Sequence, residues 1–178
     1  MNTNLSKNQL AFTLIELLIT LGVFSVLLLL ALPSFTNMMM NSRMTAQANS
    51  LVSALNYARN TALNQEMNVQ FCPLGSPNTT NCGGNWSSGW SLISLPTNGG
   101  STLLQSKAFS STDPVLLSSS ANVIFDAHGI ATTQTNFTLC DQRGGQYAQS
   151  VEVLATGFVQ MGANRGQAVW DNSALACP

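Results

Sequence analysis

Glu16 is the one acidic side chain in the run Ala11–Leu32, AFTLIELLITLGVFSVLLLLAL, which is otherwise apolar and long enough to span a bilayer. A charge at membrane depth costs about 2.5–3.5 kcal/mol even on lenient insertion scales, so this carboxylate needs a partner. A free α-amine would serve, because opposite charges meeting in low dielectric offset the cost of each other's burial. The other reactive set is Cys72, Cys82, Cys140 and Cys177. Zinc favours close pairs such as C-x-x-C, whereas nine and thirty-six residues intervene here and the chain has one His. Disulfides are the default for an even set outside the cytoplasm, and four cysteines allow three pairings. A local Cys72–Cys82 bridge would staple the loop ahead of the tryptophans and leave Cys140–Cys177 to pin the tail.

Other residues invite chemistry and mostly do not sustain it. His128, between Asp126 and Gly129, has no nearby nucleophile with an orienting third group and reads as a turn histidine. Trp86 and Trp90 could be an adhesive or base-stacking pair, but four apart around Gly89 at a strand entry they fit better as core. Met38, Met39 and Met40 offer an adaptable packing surface or simple filler. There is no paired-carboxylate signature, phosphate loop, metal spacing or triad, so the expectation is no enzyme, no catalytic residue, no cofactor and no metal.

The elements that must position these groups follow from periodicity. A helix needs roughly 20 residues to cross the hydrocarbon core, and Phe12–Leu32 supplies them. Pro33 removes a backbone donor and is expected to kink or locally melt the helix. Beyond it Met44, Ala48, Leu51, Leu55, Ala58 and Ala62 step by three and four, one helical stripe ending near Gln65 or Glu66. The period then changes to short apolar runs parted by turn residues: 69–71, 90–95, 103–109, 123–125, 137–140, 151–154 and 158–161, read as antiparallel strands. Charged residues are only 7 %, and with Lys7 and Glu16 set aside five basic and six acidic residues remain. The surface is built from neutral polar groups, with no cationic field to capture nucleic acid.

An ordinary secretory signal fits the polar start, MNTNLSKNQLA, but has no use for an acid within its apolar segment. The leader, then Ala11-Phe12-Thr13-Leu14-Ile15-Glu16-Leu17, then Pro33, resembles the class III signal of type IV pilins and type II secretion pseudopilins. That resemblance implies cleavage by a prepilin peptidase between Ala11 and Phe12 and methylation of the new amine. Most members have Gly where this chain has Ala11. It also gives Glu16 and Pro33 roles in subunit assembly, Glu16 pairing with the Phe12 amine of a neighbouring subunit. The implied fold is α+β, a pilin fold: one long N-terminal helix, membrane half plus amphipathic half, packed on an antiparallel β-sheet head. The boundaries are 1–11 leader, 12–33 transmembrane and assembly helix, 34–66 amphipathic continuation and 67–178 β-rich head.

The head resembles the GspH/FimT group of minor pseudopilins and minor pilins. The matching residues are Cys72-Pro73, Cys82, Trp86-Ser87-Ser88-Gly89-Trp90, Cys140-Asp141-Gln142-Arg143-Gly144 and Cys177-Pro178. The group implies a minor pilin that helps initiate type IV pilus assembly at the fibre tip, or a type II secretion pseudopilin. Its partners would be other minor pilins, the major pilin, the prepilin peptidase and the inner-membrane assembly machinery. The location would be the inner membrane with the head in the periplasm, then the pilus or pseudopilus. FimT-like members bind DNA in natural transformation through a G-R-x-R segment; here the equivalent is Gly157-Phe158-Val159-Gln160, without either arginine. Arg143 and Arg165 remain as candidate DNA contacts, an alternative the charge footprint does not favour.

Overall fold

The computed structural model describes residues 13–76 and 79–178, with backbone only at 30–34. It divides into two compact units, one ending at Met39 and the other formed by Met40–Pro178. Ala11, Phe12 and the rest of the leader lie outside the described residues.

Helix α1 (Leu14–Gln65) opens on a cap. Thr13 Oγ1 accepts the Glu16 backbone N–H at 3.3 Å and the Thr13 carbonyl accepts Leu17 N–H at 3.2 Å. The helix continues through Pro33, so the local melting expected there does not occur. Proline removes one ladder bond, and the Leu, Ala and Met on either side favour helix strongly enough to carry the backbone past it. At the far end Glu66 adopts φ 49° and Met67 N–H bonds the Ala62 carbonyl at 3.2 Å. This left-handed residue with a six-to-one bond is how a helix satisfies its last carbonyls before turning into a strand.

Within the second unit, Met44, Ala48, Leu51, Leu55, Ala58 and Ala62 are each no more than 2 % exposed. The alanines on this stripe let the helix approach the sheets closely, while Leu51 and Leu55 fill the space between them.

Eight strands follow among the described residues: β1 (Asn68–Pro73), β2 (Gly89–Leu95), β3 (Thr102–Ala108), β4 (Val115–Ser118), β5 (Val123–Phe125), β6 (Thr135–Cys140), β7 (Gln149–Val153) and β8 (Val159–Met161). They form two antiparallel sheets, ordered β3-β2-β1-β5 and β4-β6-β7-β8. The sequence pattern does not resolve that division, because it marks strands without saying which neighbours they bond. It also leaves out β4, whose apolar content is Val115, Leu116 and Leu117 between turn-rich flanks.

Aromatic rings join the two sheets. Phe71 of β1 lies 5.3 Å from Trp86, 5.5 Å from Trp90 and 5.8 Å from Phe137 of β6, and Trp86 meets Phe137 edge-on at 5.3 Å. Trp86 Nε1 donates to the Ser120 carbonyl at 2.9 Å, so its polar end is satisfied inside. Both tryptophans of the WSSGW segment are therefore core. Gly89 between them has φ 124°, and a Cβ there would collide with the Lys107 carbonyl across the β2–β3 pair. Only glycine allows the chain to pass from the Trp86 turn into β2.

Candidate functional site

In the first unit the chemistry lies on one face-less apolar rod. Glu16 is exposed, and every large apolar side chain from Leu14 to Leu29 is between 43 and 78 % exposed. Thr13 and Glu16 are spaced T-x-x-E, which places the acid in the first helical turn, where it favours the positive end of the helix dipole. That capping signal was present in the sequence and is distinct from the partner reading. Among the described residues no helix is long and apolar enough to cross a membrane. The described side chains of the apolar run stop at Leu29, short of the roughly 20 residues a span requires.

In the second unit the cysteines are bonded Cys72–Cys82 and Cys140–Cys177, with Cα separations of 5.7 and 5.8 Å. The first bridge closes the loop between β1 and the tryptophans. The second ties the chain's last residues to the end of β6 beside Ala148, Ala168 and Leu175.

Arg143 and Arg165 converge on the same residue of α1. Arg143 Nη1 donates to Asn41 Oδ1 at 2.9 Å, and Arg165 Nη1 donates to that same oxygen. Arg165 Nη2 also reaches the Asn41 carbonyl at 3.2 Å and Thr45 Oγ1 at 2.9 Å. Arg143 further grips Asp141 through Nε and Nη2, the latter at 2.6 Å, and lies 4.3 Å above the Tyr147 ring. With 10 % side-chain exposure it is a half-buried clamp on the helix. Asn41 is the acceptor that makes the clamp, and nothing in its sequence context singles it out. Beside it an open groove of about 490 Å³ is lined by residues that include Arg43, Asp113, Asp141 and Cys177.

The segment Gly157–Gln160 presents Phe158 at 54 % exposure, while Gln160 Nε2 donates to buried Glu152 at 2.6 Å. His128 is a turn residue with its side chain 83 % exposed, 3.8 Å from Asp126. Asp126 Oδ1 accepts the backbone N–H of Ile130 and of His128, each at 2.9 Å. Those bonds, the Ile130 one foremost, and the facing imidazole hold its carboxyl below the ordinary 3.8.

Residues 47–157, which carry the helical stripe from Ala48 on, strands β1 to β7 and the WSSGW core, match the family described as Type II transport protein GspH. The chain belongs to the GspH family. Residues 6–32 match the prokaryotic N-terminal methylation motif, the stretch that holds Glu16. Among solved structures, this GspH-family chain is similar to the type IV minor pilin FimU of Pseudomonas aeruginosa strain PAO1. That likeness has TM-score 0.55 at 20 % identity, over 68 % of this chain and 89 % of that one. It is also similar to the minor pseudopilin EpsH from the Type 2 Secretion System of Vibrio cholerae, with TM-score 0.52 at 10 % identity over 68 % and 97 % of the two chains. At these identities the likeness is one of fold, and the fold is that of pilins and pseudopilins. No curated protein is a significant match.

Proposed function

We propose that this chain is a minor pilin that takes part in type IV pilus assembly, within a priming complex near the fibre tip. The observation that carries the reading is Glu16 on an exposed apolar helical stretch that also matches the methylation motif. Residues 1–11 are removed by a prepilin peptidase ahead of Phe12, whose amine is methylated. Residues 12–33 anchor the chain in the inner membrane and later enter the fibre, 34–66 continue the helix, and 67–178 form the periplasmic head. Glu16 meets the Phe12 amine of a neighbour as the helix leaves lipid, and Pro33 lies at the end of that assembling stretch. Breaking a buried pair costs about 3–5 kcal/mol, on the order of 100-fold or more in an equilibrium. Glu16→Ala is therefore expected to leave leader cleavage intact and nearly abolish incorporation into sheared fibres. Unchanged incorporation would end the pairing mechanism, and mass spectrometry showing a mature chain that does not start at Phe12 would end the whole reading.

A second reading is favoured by the matched family's description and by the EpsH-like fold: a pseudopilin of type II secretion. A deletion strain decides between them, since loss of surface pili supports the first and loss of secreted enzymes with pili retained supports the second. DNA capture is the weaker alternative, because Arg143 and Arg165 already spend donors on Asn41 and Asp141. A salt-sensitive gel shift of duplex DNA that Arg165→Ala abolishes would restore it.

A further inference from the structure

Glu152, in the central strand β7 of the second sheet, is a carboxylate 2 % exposed. Its neighbours Val151 and Val153 face the core, so Glu152 faces the opposite side of the sheet. One carboxylate oxygen accepts Gln134 Nε2 and the other Gln160 Nε2, each at 2.6 Å. No positive charge meets it among the described residues. Among the described residues the ion pairs are His128–Asp126 and Arg143–Asp141. Arg43, Arg59 and Lys107 bond neutral oxygens of Thr112, of Gly129 and Thr156, and of Gln47 and Ser50, and Arg165 bonds Asn41 and Thr45. Burying a carboxylate without a counter-charge is expensive, and amide donors offset only part of that cost.

The same rung carries a second deficit. Register pairs Glu152 with Asn136 of β6 on one side and Gln160 of β8 on the other, so the three side chains share a face. Asn136 Oδ1 is buried and has no hydrogen-bond donor. A carboxylate without a cation thus neighbours an oxygen without a donor. Both shortfalls are met by one positively charged species that accepts oxygen ligands.

We propose that Glu152, Asn136, Gln134 and Gln160 form a site for a hard divalent cation, Ca²⁺ foremost. Half-turn rotation of the two glutamine amides about their last torsion exchanges the N–H groups now facing the carboxylate for carbonyl oxygens. Glu152 then supplies the charge, and Asn136, Gln134 and Gln160 supply neutral oxygens. Water completes a shell of six to eight oxygens, which suits Ca²⁺ better than the stricter octahedron of Mg²⁺. Zn²⁺ is not served, since no thiolate or imidazole is present. Among the described residues no three His, Cys, Asp or Glu side chains gather, so the site depends on amide oxygens and a single carboxylate. Such a low charge count belongs with dissociation constants on the order of 10⁻⁴–10⁻³ M, as in extracellular modules. Gln134 is exposed and provides the way in.

The test is thermal unfolding of the full-length chain in detergent, followed by tryptophan fluorescence, with EDTA or with about 5 mM CaCl₂. Ca²⁺ is expected to raise Tm by about 2–4 °C, and Glu152→Gln, which keeps the shape and removes the charge, is expected to lose that response. Asn136→Ala keeps the carboxylate and should move the half-maximal response to higher Ca²⁺, which gives a second readout if Glu152→Gln does not fold. The proposal is overturned if Tm is the same with and without Ca²⁺. It is equally overturned if the shift survives in Glu152→Gln or is reproduced by NaCl of equal ionic strength. A response to arginine methyl ester and not to Ca²⁺ would overturn it in favour of a partner protein's guanidinium.

Discussion

One helix contains two apolar-bearing stretches that meet opposite fates. From Leu14 to Leu29 the large apolar side chains are all exposed, whereas Met44, Leu51 and Leu55 are each at most 2 % exposed. The second stretch interleaves its apolar residues with polar ones at intervals of three and four, so it has one face to bury and a sheet to bury it on. The first is apolar all round, which no single packed face can satisfy. Its burial has to come from outside the folded chain, from lipid or from other subunits. One stretch holds the molecule together and the other makes it join something.

The sharpest way to break that comparison is to make the same substitution in both stretches. Leu55→Ala deletes fully buried groups and is expected to cost about 2–5 kcal/mol of unfolding free energy. Leu27→Ala, at a position 58 % exposed, should change it by less than about 0.5 kcal/mol. The chain's three tryptophans all lie in Met40–Pro178, so urea unfolding in micelles followed by their fluorescence reports that unit. Equal costs at the two positions would mean that the first stretch is also folded against something. In an assembly assay the order should reverse, with Leu27→Ala the more harmful of the two in chains that still fold.

The two disulfides offer a smaller effect that ranks parts of the second unit. They close separations of 37 and 10 residues, and loop-closure entropy makes loss of the longer about 1 kcal/mol more costly than loss of the shorter. Cys140→Ser with Cys177→Ser should therefore lower the urea midpoint more than Cys72→Ser with Cys82→Ser, each pair costing about 2–4 kcal/mol of unfolding free energy. The reverse order would place the Cys72 loop, beside the aromatic cluster, above the tail as a determinant of stability.

What the sequence made legible divides along the same line. Periodicity marked the stripe from Met44 to Ala62, because an amphipathic helix writes its packing into spacing. Seven of the eight strands were visible as apolar runs, though two sheets were not, since pairing depends on contacts between residues far apart in sequence. β4 escaped although its run of Val115, Leu116 and Leu117 is as long as that of β5, so run length did not separate them. In the candidate site, Glu16 stood out because its chemistry conflicts with its neighbours. Asn41 and Glu152 did not: each is ordinary in its local context and acquires meaning only when Arg165, 124 positions away, or Gln160 arrives beside it. The cysteine pairing in the structure is one of the three that the sequence left open.

Asn41 sharpens the comparison where α1 enters the second unit. Asn41→Ala removes the oxygen shared by Arg143 and Arg165, leaving donors of two half-buried guanidiniums without that acceptor. The expected loss is about 1–3 kcal/mol, read as a lower urea midpoint. Asn41→Asp keeps an acceptor and adds a charge facing two cations, so it should match or exceed the parent. A destabilised Asn41→Asp would mean that the helix backbone at Asn41, rather than its side chain, holds the clamp.

The smallest effect is set by acid, at the loop that Arg59 binds. Asp126 organises the 126–130 turn, and the Gly129 carbonyl in that turn accepts Arg59 Nε at 3.1 Å, fastening the loop to α1. Because the Ile130 and His128 bonds hold the Asp126 carboxyl below 3.8, its ionised form stabilises the fold above that value. The contribution is lost as pH falls through the folded value, so the window lies below 3.8 and leaves neutral stability untouched. The group is solvated enough for screening to keep the effect small. Asp126→Asn retains an oxygen for both N–H bonds and removes the titration. Its urea midpoint should lie slightly under the parent's at about pH 7, and the gap should close as pH falls below 3.8. Parallel curves over that range would show that the turn is held by its backbone geometry and that the carboxylate charge adds nothing to the clasp on the helix.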